Sequence, residues 1–254
     1  MSSDNSTVDA CVHADHNLEL NLNLDTLSAG DLTAARYRLC ETLGKGGMGT
    51  VWRAEQLTPV TRSVAIKFLR PEISNPRVVA RFAREHQALA LMNHPHVAQV
   101  YDGGETEVQL PFLVMEFVNG TSITDYCDQA RLSIRDRLKL LVKVCAGVEH
   151  AHQRGIIHRD LKPNNVLVGD GVDGPIPKVI DFGLAKSLPW SESQPASVAA
   201  TNPGFVVGTP SYMAPEQVAA RDSEIDTRTD VYALGVLLFE LTAGEVPFGN
   251  AQHS

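Results

Sequence analysis

At 254 residues, 43% hydrophobic and 20% charged, the chain can fill one large core or two packed lobes, and wholesale disorder is excluded. Twenty-two Lys and Arg against thirty Asp and Glu leave a formal net charge of -8, the wrong sign for non-specific binding to nucleic acid or to an anionic membrane. Cys11, Cys40, Cys127 and Cys145 lie far apart with no CxxC pair, which argues against a zinc site or a disulfide framework and for a reducing compartment.

The N-terminus has no signal-peptide pattern, and the longest uncharged apolar run, Val231 to Phe239, is too short to cross a bilayer. A cytoplasmic chain is expected, with no membrane segment and no nucleic-acid partner. Residues 1–36 are polar and irregular. Leu18, Leu20, Leu22 and Leu24 alternate with polar residues, but Asn21 and Asn23 are poor strand formers, so a flexible N-terminal arm is expected.

From Tyr37 the pattern predicts strands at Tyr37–Leu43, Thr50–Gln56 and Ser63–Leu69. Asn75-Pro76 then opens a helix that places Val79, Phe82, His86 and Leu89 on one face. Strands follow at Val97–Tyr101 and Phe112–Phe117. Beyond Gly120 helices dominate. Ser133 and Asp136 mark a capping-box-like start for a helix carrying Leu138, Leu141, Val142, Cys145 and Val148, with Gly155 at its stop. Short strands are expected around Val166–Val168 and Val179-Ile180, then a long irregular stretch to Tyr212. An apolar helix over Asp230–Leu241 ends at Gly244. The architecture is α+β: a small β-rich lobe with one helix, then a larger, mainly helical lobe.

The segment Gly44-Lys45-Gly46-Gly47-Met48-Gly49 contains GxGxxG between two strands. A dinucleotide fold needs a helix after such a loop, and a Walker A loop needs Lys-Ser/Thr after the last glycine, so neither fits. A glycine-rich hairpin still lets backbone amides approach phosphates. Lys67 stands inside the apolar strand Val64-Ala65-Ile66-Lys67 and requires a counter-charge if buried, for which Glu85 on the inward stripe of the helix is a candidate. His158-Arg159-Asp160-Leu161-Lys162-Pro163-Asn164-Asn165 gathers two cations, a carboxylate and an amide. Asp181-Phe182-Gly183 adds a carboxylate at a strand end, and Ala214-Pro215-Glu216 closes the irregular stretch.

Five such motifs in this order resemble the protein kinase family, and GGMGTVWRAEQ, VIDFGLAK and GTPSYMAPEQ look most like the bacterial eukaryotic-like (Hanks-type) serine/threonine kinases. The resemblance implies a bilobal kinase fold over 37–254, with lobes at 37–118 and 119–254. It implies ATP and Mg²⁺ as cofactors and protein Ser/Thr hydroxyls as acceptors, with self-association for autophosphorylation. By the same resemblance Gly44, Gly46 and Gly49 cover the phosphates, Lys67 holds them and pairs with Glu85, Asp160 orients the acceptor hydroxyl, and Lys162 reaches the γ-phosphate. Asn165 and Asp181 hold the metal. Leu43, Val51, Ala65 and Leu167 wall the adenine slot, Glu116 to Val118 form the hinge and Met115 guards its back.

Arg159 implies switching by phosphorylation of the activation segment, with Thr201 and Ser197 the preferred sites and Thr209 structural. Asp230 is expected to brace the His158-Arg159 backbone. His94/His96 and His150/His152 show no third ligand that would make them a metal site. The resemblance also implies further helices after Ser254. The expectation is therefore a fragment in which Glu216 lacks an arginine partner and the Asp230–Leu241 helix exposes apolar surface. Three readings follow: an active kinase, a catalytically weak ATP-binding or docking module, and an unstable truncated fragment.

Overall fold

The computed structural model describes residues 27–46, 49–69, 87–107, 110–182, 210–219 and 225–247. Leu18–Leu24, the helix start with Glu85, and Ser197, Thr201 and Thr209 lie outside these residues.

Six antiparallel strands form the first sheet: β1 Leu32–Thr33, β2 Tyr37–Gly46, β3 Gly49–Gln56, β4 Arg62–Leu69, β5 Val100–Glu105 and β6 Pro111–Glu116, in the order β1-β2-β3-β4-β6-β5. β4 shows why a strand can read as an uninterrupted apolar run. Val64, Ile66 and Phe68 pack into one core with Tyr37, Trp52 and Phe112, whereas Ala65 and Leu69 belong to a second core shared with the helical lobe. Lys67 falls on that second face by the period of two. Both faces of the strand are buried, so alternation is hidden in the sequence.

β2 and β3 run on into the glycine segment, with Gly46 paired to Gly49. Gly49 has φ +151°, and a Cβ there would lie 1.8 Å from the Phe68 carbonyl oxygen, so only glycine lets β3 lie against β4 at this point. The strand expected at Val97–Tyr101 is displaced to Val100–Glu105. Val97 instead forms a parallel bridge with Val179: Ala98 N–H donates to the Val179 carbonyl at 2.9 Å, and Val179 N–H to the His96 carbonyl at 2.9 Å. A hydrogen-bonding opportunity from a distant strand, invisible locally, moves the boundary.

The second lobe holds a three-stranded sheet, β7 Gly120–Ser122, β8 Val166–Gly171 and β9 Gly174–Val179, in that order. Its helices are α1 Ile123–Gln129, α2 Ile134–His152, the single turn α3 Pro215–Val218 and α4 Thr227–Ala243. Ser133 caps α2 as expected, its hydroxyl accepting from Asp136 N–H at 3.2 Å and donating to the Asp136 carboxylate at 2.6 Å. The buried stripe of α2 is Leu140, Leu141, Val144, Gly147, Val148 and Ala151. Leu138, Val142 and Cys145, expected on that stripe, are exposed. Small residues occupy the close packing instead: a Cβ on Gly147 would stand 2.8 Å from the His96 carbonyl oxygen. Arg137 ties three helices together, reaching Asp128 at 2.7 Å, the Cys127 carbonyl at 3.4 Å and the Leu241 carbonyl at 3.5 Å.

Candidate active site

The loop after α2 is organised from α4. Asp226 caps that helix through the Arg228 amide at 2.8 Å, and Gly244, left-handed at φ +82°, closes it. Asp230, one turn in and 1% exposed, accepts from His158 N–H and Arg159 N–H at 2.8 Å each and meets His152 Nε2 at 2.7 Å. A fully buried carboxylate is tolerated because its oxygens are met by donors. Asp230 thus fixes Arg159 at φ +65°, a left-handed geometry that costs an ordinary residue about 1–2 kcal/mol.

His158 is fully buried. Its Nε2 donates to the Ile180 carbonyl at 3.0 Å, and its Nδ1 accepts from Asp160 N–H at 3.2 Å, a pairing that requires the neutral ring. Burial pushes this imidazole below its ordinary pKa, outweighing the carboxylates of Asp230, Asp181 and Asp160, which pull it up. The ring of Phe182 lies against it with centroids 4.7 Å apart.

Asp160 collects the neighbouring polar groups. Lys162 Nζ stands 3.0 Å from its carboxylate, and Asn165 Nδ2 donates to its carbonyl at 2.7 Å and to its carboxylate at 3.2 Å. The 3₁₀ turn Pro163–Asn165 turns Asn165 inward, and Ile180 N–H donates to the Asn165 carbonyl at 2.9 Å. The loop is therefore joined to the strand that delivers Asp181. Across the cleft, Lys67, 7% exposed on β4, is ion-paired with the Asp181 carboxylate. Asp181 has φ +58°, a left-handed conformation that Asp tolerates better than most residues.

Around this cluster, Leu43 is 46% exposed near the end of β2, whereas Ala65 is buried and Val51 packs on the shared core. Added Cβ atoms on Gly44 and Gly46 would meet nothing within 4 Å, in contrast to Gly49. Ala65 pairs with Met115 and Val64 with Glu116 across β4 and β6. Leu167 on β8 lies opposite Ser122 and Lys178. Glu116 is bound from two sides: its carboxylate meets Lys178 at 2.8 Å and the Gln99 amide at 3.3 Å, and its own N–H donates to the Gln99 carbonyl at 2.8 Å. Val118, just beyond β6, is half-buried.

The structure thus gathers Lys67, Asp160, Lys162, Asn165 and Asp181, and sets the glycines and the Glu116 strand on the side of the cleft formed by the first sheet. Glu85 lies outside the described residues. Among the described residues no three His, Cys, Asp or Glu side chains form a metal-holding group. Asp181 and Asn165 each carry a hard oxygen of the kind that Mg²⁺ binds.

Sequence reasoning missed three residues with parts in this site. His152 partners Asp230, Lys178 partners Glu116, and Gln217 donates to the Arg159 carbonyl at 2.8 Å. None had a local signal beyond its polarity next to a motif. Glu216 accepts from Thr229 Oγ1 at 2.6 Å, so it has a partner within the described residues. Val231, Leu238 and Phe239 on α4 are exposed, as expected.

A sheet of antiparallel strands over a helical lobe, with a lysine, two aspartates and an asparagine gathered between them, is the bilobal fold of a protein kinase domain. The family profile for the protein kinase domain matches residues 37–254, and the chain belongs to the protein kinase family. It is 41% identical to the probable serine/threonine-protein kinase PknB of Lactococcus lactis over 87% of this chain and 34% of that protein. It is 40% identical to the serine/threonine-protein kinase pkn3 of Myxococcus xanthus over 86% of this chain and 40% of that protein. The chain spans a third to two fifths of the length of these relatives. Among solved structures, the kinase domain of Mycobacterium tuberculosis PknI matches with a TM-score of 0.65 and 29% identity, covering 90% of this chain and 80% of that one. No helix among the described residues is long and apolar enough to cross a membrane.

Proposed function

We propose that the chain is an ATP- and Mg²⁺-dependent serine/threonine protein kinase, its catalytic domain running over 37–254 with lobes meeting near residue 118. The observation that carries this reading is the convergence of Asp160, Lys162, Asn165 and Asp181 on one side of the cleft, with Lys67 ion-paired to Asp181 from the other.

Asp181 and Asn165 would hold Mg²⁺, which when bound would supply charge neutralisation on the phosphate oxygens. Lys67 changes partner from Asp181 to the α- and β-phosphates, and Gly44, Gly46 and Gly49 give the backbone access to the phosphates. Leu43, Val51, Ala65 and Leu167 enclose the base, which the backbone of Glu116 and Val118 meets. Asp160 accepts and orients the acceptor hydroxyl proton as that oxygen bonds to the γ-phosphorus and the bond to the ADP oxygen breaks. Lys162, 3.0 Å from Asp160, is within reach of the charge on the transferring group. Lys162 in RDLKPxN supports Ser and Thr hydroxyls as acceptors. Proteins, including a second copy of the chain, are the substrates, and the cytoplasm is the compartment.

The test is phosphate transfer from ATP and Mg²⁺ to the full chain and to a basic acceptor protein, beside Asp181→Ala. Transfer lost in the variant is expected. A folded chain that binds ATP and transfers nothing would leave a binding module.

A further inference from the structure

We infer that Gln217 is a positioning residue for Asp160, acting through one peptide unit of the catalytic loop; the inference rests on the kinase reading above. The Gln217 side chain is half-buried and committed at both ends. Nε2 donates to the Arg159 carbonyl at 2.8 Å, and Oε1 accepts from Ala214 N–H at 3.1 Å. A carbonyl can only accept and a backbone N–H can only donate, so these two neighbours fix which way the amide lies.

The Arg159 carbonyl and the Asp160 N–H belong to the same planar peptide unit. Gln217 holds the oxygen end of that plane, and His158 Nδ1 holds the N–H end at 3.2 Å. On the preceding unit, Asp230 holds Arg159 N–H at 2.8 Å. With both planes pinned, the left-handed φ of +65° at Arg159 is enforced, and the direction in which the Asp160 side chain leaves the backbone follows.

Gln217 is itself anchored. Its neighbour Glu216 accepts from Thr229 Oγ1 at 2.6 Å, and Thr229 adjoins Asp230 on α4. The short helix α3 and the catalytic loop are therefore referenced to the same turn of α4. Ala214 at the start of α3 has no side-chain oxygen, so only the reciprocal half of a capping box is made there. The bond to Arg159 is a second function of the same side chain.

Gln217→Glu separates the two. It keeps an acceptor for Ala214 N–H, the usual role of glutamate at that helix position, and sets an oxygen against the Arg159 carbonyl in place of a donor. In the full chain the variant is expected to melt close to the parent and to keep the parent KM for ATP. Its kcat should fall by about ten- to a hundredfold, the scale expected for a misplaced catalytic group. Amide exchange in peptides covering 156–165 should accelerate while α4 peptides stay unchanged.

Parent-like exchange at 156–165, or parent-like kcat in a chain that transfers phosphate, would mean that Gln217 only caps α3 and would overturn the inference. A parent chain that transfers no phosphate would count against the kinase reading instead, with exchange still deciding the loop. If Gln217→Glu does not fold, Gln217→Ala removes the donor without adding the second oxygen, and the same exchange criterion applies.

Discussion

Lys67 and Asp181, 114 positions apart in the sequence, are ion-paired across the cleft between the two lobes. The pair is unequal. Lys67 has 9% of its side chain exposed and Asp181 31%, so the ammonium depends on the carboxylate more than the reverse. Asp181→Ala leaves a buried charge without this partner and should cost about 1.5–3 kcal/mol, whereas Lys67→Met leaves a carboxylate within reach of water and should cost less. Both variants should lose phosphate transfer. Urea denaturation of the two in parallel checks the order; equal costs would mean that Lys67 finds another counter-ion.

The glycines of the strand-turn-strand segment divide by what surrounds them. Gly49→Ala must push a methyl into the Phe68 carbonyl oxygen at a φ of +151°, and overpacking of this kind costs about 1–3 kcal/mol or more. A drop in Tm of roughly 2–12 °C follows for a chain of this length. Gly44→Ala and Gly46→Ala meet open space, so they should melt like the parent and raise KM for ATP, by crowding the phosphates. Thermal melts set beside ATP titrations separate the two classes, and a stable Gly49→Ala would refute the packing argument.

The buried His158 ring makes stability depend on pH in a definite direction. Its pKa is lowered by burial, and His94, His96 and His150 are also lowered, burial being the first cause in each. Above pH about 6.5 these rings are neutral whether the chain is folded or not, and they contribute no slope. Below it the unfolded chain takes up protons that the folded chain refuses, so stability falls as pH falls. His158 alone can contribute a slope of up to about 1.4 kcal/mol per pH unit until its folded pKa is reached. Urea denaturation between pH 7.5 and 5.5 measures it. A flat profile would show that the ring is protonated in the fold, which would break its acceptance from Asp160 N–H.

The catalytic strings were legible because each is contiguous: His158 to Asn165 and Asp181-Phe182 carry their chemistry within a few residues. Their supports were not legible, because Asp230's partner His152, Glu116's partner Lys178 and the Gln217 bond to Arg159 join segments brought together only by folding. α2 is legible and Leu141 and Val148 are buried as expected, but the rest of its buried face is not, since Gly147 and Ala151 lie in the contact while Leu138, Val142 and Cys145 are exposed. α1 did leave a signal. Ser122, whose hydroxyl accepts from Asp125 N–H at 3.2 Å, repeats the Ser-x-x-Asp spacing of Ser133 and Asp136 at the start of α2. β1 and β7, two and three residues long, are too short to show a period.

The Glu116–Lys178 pair links β6 of the first sheet to β9 of the second at 2.8 Å, beside the segment proposed to meet the base. Both side chains are about a quarter exposed, so water and salt screen the attraction. A double-mutant cycle on Glu116→Gln and Lys178→Met should therefore give a coupling of only about 0.2–1 kcal/mol, shrinking at high salt. The effect on ATP should be larger than this stability term suggests. The Glu116 carboxylate also accepts from Gln99 N–H, just before β5, so its loss weakens a contact to that segment as well as the one to β9. Glu116→Gln should raise KM for ATP more than it lowers Tm, and Lys178→Met should do so to a lesser degree. ATP titrations at low and high salt check this, and a parent-like KM in both variants would show that the backbone bond from Glu116 to Gln99 and the strand pairing hold the segment in place without the side chain.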